Sequence, residues 1–346
     1  MIGTTLDDWL DRNCASRGAQ GEAIADTVAI LARTGVALAA TIAAGPLGAN
    51  VAEPGEVNAG GDVQCGLDLL ADDLFLSALS NSPVGLYASE ELAQPVVIDA
   101  ARPLALAIDP LDGSSNIDTN VSIGTIFSIR ANDAGADPLA PFLRPGREQL
   151  AAGFLIYGPQ LALVVSLGAG TQLFIHAPAE AAFRLANPAL AIPPKTREFA
   201  INASNYRHWH ESVRLYFDDC LKGGHGPRED EFNMRWVASL VAETYRILAR
   251  GGTFLYPGDR RRGYSRGRLR LVYEAQPIAM LIEQAGGLAT DTVDPLLDIC
   301  ASELHQRVPL VFGSANEVRR IGRYHTRPDD MSDRAPLFAK RTLFQA

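Results

Sequence analysis

At 346 residues, 47% of them hydrophobic, the chain is long enough for one large domain or two ordinary ones and can bury a sizeable core. Its net charge of −9 argues against a nucleic-acid partner, because phosphate backbones select basic surfaces. The 4 cysteines, Cys14, Cys65, Cys220 and Cys300, are too scattered for a disulfide framework or a zinc site and suit a reducing compartment.

Asp7, Asp8 and Asp11 spoil any secretory signal at the N-terminus, so the cytoplasm is the expected location. From Glu22 to Ala43, Ile24, Val28, Leu31, Leu38 and Ile42 recur at near-helical spacing, which predicts an amphipathic helix stopped by Gly45-Pro46. Thr27 to Ala44 is the most membrane-like stretch of the chain. Arg33 sits in the middle of it, however, and a buried helix with no membrane partner is the better reading. Leu47 to Gly61 is polar and contains glycine, and reads as a mobile loop. It delivers Asp62 and Asp68 to a helical pattern through Leu67, Leu70, Leu74 and Ala78, where an Asp in the first turn offsets the helix dipole.

Ser89-Glu90-Glu91 follows; on extended backbone the two glutamates point to opposite faces and cannot share one task. Leu104 to Ile108 is an apolar run expected as a buried strand, and it ends in Asp109-Pro-Leu-Asp112-Gly113-Ser114-Ser115-Asn116. Pro-x-Asp-Gly is turn chemistry. Such a turn can aim both carboxylates and the Leu111 carbonyl at one spot, and hard divalent cations prefer oxygen ligands of this kind. Gly113 lets the backbone approach a ligand, and the amides of Ser114, Ser115 and Asn116 can form an anion nest or a helix N-terminus. Two surface turns are the plainer alternative.

Val121–Ile129, Ala151–Tyr157, Leu161–Leu167 and Thr171–Ile175 are β-rich and separated by Gly and Pro, which predicts an antiparallel meander. Asp133 to Arg147 reads as a surface loop, and Pro188 to Pro194 as a boundary between halves 1–192 and 193–346. Asn202 lies in Phe199–Tyr206, near a strand end. Asn233 to Arg250 is predicted helical, with Met234, Val237, Leu240, Val241, Ile247 and Leu248 as its stripe and Gly251-Gly252 as its stop. Thr253 to Tyr256 reads as a short strand. Arg268 to Glu274 alternates, with Arg268, Arg270 and Glu274 on one face of a predicted strand. Pro277 opens a helix to Ala285; a strand at Val308–Phe312 and a helix at Asn316–Tyr324 close the pattern. On its own this reading supports an α/β fold in two halves.

The string Asp109-Pro-Leu-Asp-Gly-Ser-Ser-Asn-Ile-Asp118 resembles the signature of class I fructose-1,6-bisphosphatase, within a wider superfamily of metal-dependent, lithium-sensitive phosphatases. The resemblance implies a layered α-β-α-β-α sandwich of mixed sheets and helices, assembled as a homotetramer. It implies hydrolysis of the 1-phosphate of fructose 1,6-bisphosphate, with two or three Mg²⁺ per subunit, or Mn²⁺ in their place. By the same resemblance Glu90, Asp109, the Leu111 carbonyl, Asp112 and Glu274 ligate metal, while Asp62, Asp68 and Glu91 position and deprotonate the attacking water. Asp112, Gly113, Ser114 and Ser115 lie on the substrate. Asn202, Tyr256, Arg268 and a neighbouring subunit's Arg235 hold the phosphate that is not cleaved. Four carboxylates from distant parts of the chain repel unless cations sit between them, which agrees with these assignments.

Departures from the family pattern are specific. Arg268 stands where the family has Lys, Asn205 where the animal enzymes have Tyr, and Trp236 where Tyr is usual. In AMP-inhibited members a Lys-Tyr pair and threonines flanking a Gly-Glu form the nucleotide pocket. Here Pro103-Leu104, Gln20 and Ile24 stand at those places, which predicts little or no AMP inhibition. Rival readings are a sedoheptulose-1,7-bisphosphatase, alone or with dual specificity in a carbon-fixation cycle rather than gluconeogenesis, an inositol phosphatase, and a non-catalytic sugar-phosphate sensor.

Overall fold

The computed structural model describes residues 2–45, 54–57, 63–133, 135 and 137–327, with backbone alone at 54–57 and 63–65. Helices α1 (Leu6–Cys14) and α2 (Gly18–Ala44) lead to a short antiparallel pair, β1 (Pro54–Val57) and β2 (Val63–Cys65), and to α3 (Gly66–Leu79). The strand β1 lies inside the stretch expected as loop; Asp62 lies outside the described residues.

β3 (Val84–Ser89), β4 (Val96–Val97), β5 (Leu104–Asp112), β6 (Ile123–Ala131), β7 (Ala151–Tyr157), β8 (Leu161–Ser166), β9 (Gln172–Ala177) and β10 (Ala182–Asn187) form an 8-stranded sheet in the order β10-β9-β8-β7-β6-β5-β3-β4. From β5 to β10 every pairing is antiparallel, which is the expected meander with one further strand. Only β3 runs parallel to β5.

The second sheet comes from β11 (Glu198–Ile201), β12 (Asn233–Met234), β13 (Thr253–Tyr256), β15 (Leu288–Thr290) and β17 (Leu310–Gly313), in the order β12-β11-β13-β17-β15. Among these run α4 (Glu211–Leu221), α5 (Leu240–Arg250), α6 (Gln276–Gln284) and α7 (Ala315–Thr326), and a separate pair, β14 (Leu269–Arg270) with β16 (Arg307–Val308). The helix expected from Asn233 begins only at Leu240. Ala238 takes a left-handed φ of 61°, Ser239 caps the helix through the Ala242 amide at 3.3 Å, and Met234 and Val237 are exposed. Apolar spacing in the stretch before Ser239 was coincidental.

Period-two alternation builds the layers. In β7, Ala151, Leu155 and Tyr157 meet α1–α3, while Ala152, Phe154 and Ile156 meet the middle helices α5 and α6. α5 and α6 also cover one face of the second sheet through Leu240, Ile247, Phe254 and Phe312. α4 and α7 cover its other face through Val213, Phe217, Val318 and Ile321, packed on Phe199, Leu255 and Val311. The result is the expected α-β-α-β-α sandwich. By length and composition α2 could cross a membrane, but Ile24, Val28, Leu31 and Leu38 are fully buried against the large sheet.

Candidate active site

In parallel pairing, Ser89 lies opposite Ile108, and the Glu90 amide donates to the Ile108 carbonyl at 3.0 Å. Glu90 therefore leaves β3 alongside Asp109 of the neighbouring strand, about 4.8 Å away across the sheet. β5 then departs from regular pairing. Asp109 opposes Ile126 but Asp112 opposes Gly124, so three steps on one strand match two on the other. Pro110 has no amide to continue the ladder, and the Thr125 hydroxyl donates to its carbonyl at 2.8 Å. This bulge gathers the two aspartates on either side of the buried Leu111.

Gly113, at φ 80°, turns the chain into a single 3₁₀ stretch, Ser114–Thr119. The Asn116 amide donates to the Gly113 carbonyl at 2.8 Å. The Asn116 amide, expected as part of an anion nest, is thus engaged within the turn. The Asn116 side chain donates to the Ala238 carbonyl at 2.8 Å, and the Val241 amide donates to Asp112 Oδ2 at 2.9 Å. The N-terminus of α5, with its partial positive charge, is thus docked on Asp112. Gly124 makes the docking feasible: a Cβ there would lie 2.2 Å from the Leu155 carbonyl oxygen and 2.8 Å from the Val241 side chain.

Glu274 arrives differently from expectation. Beyond Arg270 the chain leaves the strand for a π-helical turn, Leu271–Ala275, that runs straight into α6. Leu271, Val272, Tyr273, Glu274 and Ala275 are all buried, and periodicity does not separate a buried strand from a buried helical turn. Pro277 cannot supply the amide that a regular α-helix would need there, which favours the wider turn. The Glu274 carboxylate folds back to accept from the Arg270 amide.

Asp109, Asp112 and Glu274 are buried, and each offers a carboxylate oxygen within 4.8 Å of the others. Burial raises the Asp109 carboxyl well above its ordinary value, reinforced by Glu90, Asp112, Glu274 and Glu91 in that order. Burial likewise pushes the Asp112 carboxyl up to about 7, opposed by the Val241 and Leu240 amides. Burial and Glu90 raise Glu274 well above its ordinary value, against the attraction of Arg270. Arg270 Nη1 lies 2.9 Å from Glu90 Oε1, with side chains 5% and 13% exposed. A hard, all-oxygen, buried and self-repelling donor set of this kind fits divalent cations. Arg270 was not among the sequence candidates, although it shares the face of Arg268 and Glu274 in the alternating run.

Of the remaining candidates, Asp68 is buried in the first turn of α3, and the Glu91 amide donates to the Ser89 hydroxyl at 3.2 Å. Asn202, Tyr256 and Arg268 are brought together: with Asn205, Trp209 and Tyr264 they line one pocket between the ends of β11 and β13 and the loop before β14. Tyr264 was not anticipated, since nothing in the basic run from Arg260 to Arg270 distinguishes it. Arg235 does not line this pocket. Its side chain is 47% exposed, with Nε 3.7 Å from Glu198 Oε1. Arg268 and Arg270, two residues apart along extended chain, stand at the pocket and at the carboxylates respectively, about 7 Å of backbone rise between them.

Residues 11–188 match the family model described as fructose-1-6-bisphosphatase, N-terminal domain, and residues 192–326 match the one described as fructose-1-6-bisphosphatase, C-terminal domain. A class 1 fructose-1,6-bisphosphatase of Rhizobium meliloti (strain 1021) is 56% identical over all of this chain and all of its own. One from Paracoccus denitrificans (strain Pd 1222) is 55% identical over 91% of this chain and 94% of its own. The crystal structure of Leishmania major fructose-1,6-bisphosphatase in holo form superposes with a TM-score of 0.86 at 29% identity, covering 94% of this chain and 100% of that one.

Proposed function

The chain belongs to the class 1 fructose-1,6-bisphosphatase family and is a phosphatase that hydrolyses fructose 1,6-bisphosphate, and from that premise we propose how its residues divide the work. Enzymes of this family depend on metal. We infer that Glu90, Asp109, the Leu111 carbonyl, Asp112 and Glu274 hold two or three Mg²⁺, for which Mn²⁺ can substitute. The supporting observation is the convergence within 4.8 Å of Asp109 and Asp112, at the end of one strand, with Glu274, which a π turn far along the chain brings to them. When bound, such cations polarise the phosphoryl group, lower the pKa of water and neutralise the leaving oxygen.

The chain's own groups supply position and proton transfer. Asp68 and Glu91, with Asp62, orient the attacking water and accept its proton. The amides of Ser114 and Ser115, presented by Gly113 beside Asp112, receive the 1-phosphate oxygens. Asn202, Tyr256 and Arg268 grip the 6-phosphate, and the distance along the chain from Arg268 to Arg270 is on the scale of one sugar. In this reading the nucleophile is a water held by Asp62, Asp68 and Glu91, and no covalent phosphoenzyme is needed. The exposed Arg235 of one subunit reaches the 6-phosphate of another in a cytoplasmic homotetramer, which agrees with its exposure in the single chain.

Phosphate release from fructose 1,6-bisphosphate, fructose 1-phosphate, sedoheptulose 1,7-bisphosphate and inositol 1-phosphate tests the assignment of the pockets. The fructose bisphosphate is expected to give the highest kcat/KM. Fructose 1-phosphate, lacking the group Arg268 holds, is expected to lose at least about tenfold, the worth of one charge-assisted contact. Equal rates on the two fructose esters would contradict the role given to the Asn202–Tyr256–Arg268 pocket.

A further inference from the structure

The loop from Pro257 to Gly267 rims the sugar-phosphate pocket, and its conformation is fixed from both ends. The Asp259 amide donates to the Tyr264 carbonyl and the Tyr264 amide to the Arg261 carbonyl, each at 3.0 Å. Asp259 is 4% exposed, receives the Arg261 amide at 2.9 Å, and pairs with the Arg261 guanidinium. That guanidinium stands 4.2 Å from the centre of the Tyr264 ring, and the Arg268 guanidinium stands 5.2 Å from the same centre. Tyr264 itself is half-buried and lines the pocket with Arg268.

We propose that Tyr264 is a positioning residue, whose ring, clamped by the Asp259–Arg261 pair, holds the Arg268 guanidinium in the orientation that grips the uncleaved phosphate. The chemistry at Arg268 makes such a device useful. An ammonium is a point charge that binds phosphate from many directions, whereas a guanidinium presents a planar fork that must be aimed. The ring quadrupole attracts the guanidinium through its face and does not itself compete for the N–H donors. The inference rests on the reading of this pocket as the seat of the 6-phosphate.

Steady-state kinetics of Tyr264→Phe, Tyr264→Leu and Tyr264→Ala on fructose 1,6-bisphosphate, each also in an Arg268→Ala background, tests it. Loss of the ring is expected to raise KM, and the inhibition constant of fructose 6-phosphate, by about three- to thirty-fold, with a smaller effect on kcat. Phe, which keeps the ring, is expected to restore both constants to within about twofold of the original. In the Arg268→Ala background none of the Tyr264 changes should add to the loss. Leu keeps apolar bulk and carries the test if the Ala chain fails to fold. The proposal is overturned if Leu and Ala leave KM unchanged, if Phe behaves like Ala, or if the losses at 264 and 268 add. If Arg268→Ala alone leaves KM unchanged, the reading of the pocket falls first; if it raises KM while Tyr264→Leu does not, only Tyr264 is wrongly assigned.

Discussion

Arg270 Nη1 and Glu90 Oε1 sit 2.9 Å apart at the edge of a cluster of buried carboxylates. The guanidinium faces the acid that raises both Asp109 and Glu274, and so supplies part of the positive charge that cations would supply more fully. Removing one partner of a buried ion pair leaves the other uncompensated, at a cost of about 3–5 kcal/mol. In Arg270→Gln the metal-stripped protein is therefore expected to melt markedly lower than the original. Mg²⁺ should recover most of the difference, because the cation takes over the charge. Thermal unfolding with chelator and across a Mg²⁺ series checks this; an equal deficit at every Mg²⁺ concentration would show that Arg270 is only packing.

The same cluster sets a pH dependence. Asp112 moves from an ordinary 3.8 to about 7 in the fold, and Asp109 and Glu274 shift in the same direction. Below the ordinary carboxylate range these groups are protonated both folded and unfolded, and they cost nothing. As pH rises from about 4 towards 7, the unfolded chain gives up protons that the folded chain retains, so stability falls through that window. The metal-stripped protein is expected to lose melting temperature steadily from pH 5 to pH 8. Mg²⁺ should flatten the slope and stabilise most at the alkaline end, since bound cations displace those protons. A chelated protein whose melting temperature rises over this window would contradict the electrostatics.

Gly124 faces Asp112 across the β5–β6 ladder and lies under Val241. A methyl group there meets the Leu155 carbonyl at 2.2 Å, and backbone does not yield cheaply. Gly124→Ala is expected to cost about 1–3 kcal/mol by overpacking. It should also push the start of α5 off Asp112 and lower kcat by more than the stability loss explains. Chemical denaturation and kinetics on the same preparation separate the two effects; unchanged kcat in a destabilised protein would mean that the amide of Val241 does not tune Asp112.

Ile24 and Leu104 are both fully buried in the apolar layer between the helices α1–α3 and the large sheet. They occupy positions where AMP-inhibited relatives are expected to place polar nucleotide contacts. AMP at millimolar concentration is expected to leave the initial rate on fructose 1,6-bisphosphate unchanged. Inhibition at micromolar AMP would show a nucleotide site that these apolar side chains do not block.

Much of this was legible from residue order because the signals were local. An apolar run gave the start of β5, β-rich runs separated by Gly and Pro gave β6 to β9, and the Asp-Pro-Leu-Asp-Gly string marked the strand end where two of the acids lie. What sequence alone missed was set by contacts between distant segments. The π turn that carries Glu274 is fully buried, so its pattern matches a strand as well as a helix. The late start of α5 follows from Ala238 and Ser239, whose left-handed turn and cap override an apolar stripe upstream. Arg270 and Tyr264 looked like ordinary members of a basic run, because their partners Glu90 and Arg268 are assigned only by the folded chain.

The most direct test measures phosphate released from fructose 1,6-bisphosphate by the original chain and by Glu274→Gln, each first with chelator and then with Mg²⁺ added back. The account predicts no release with chelator, full recovery with Mg²⁺ in the original, and a rate at least about a hundredfold lower in Glu274→Gln, since removal of a ligand exceeds the loss seen for its supporting neighbours. Undiminished release in chelator, or a Glu274→Gln rate equal to the original with Mg²⁺, would contradict it.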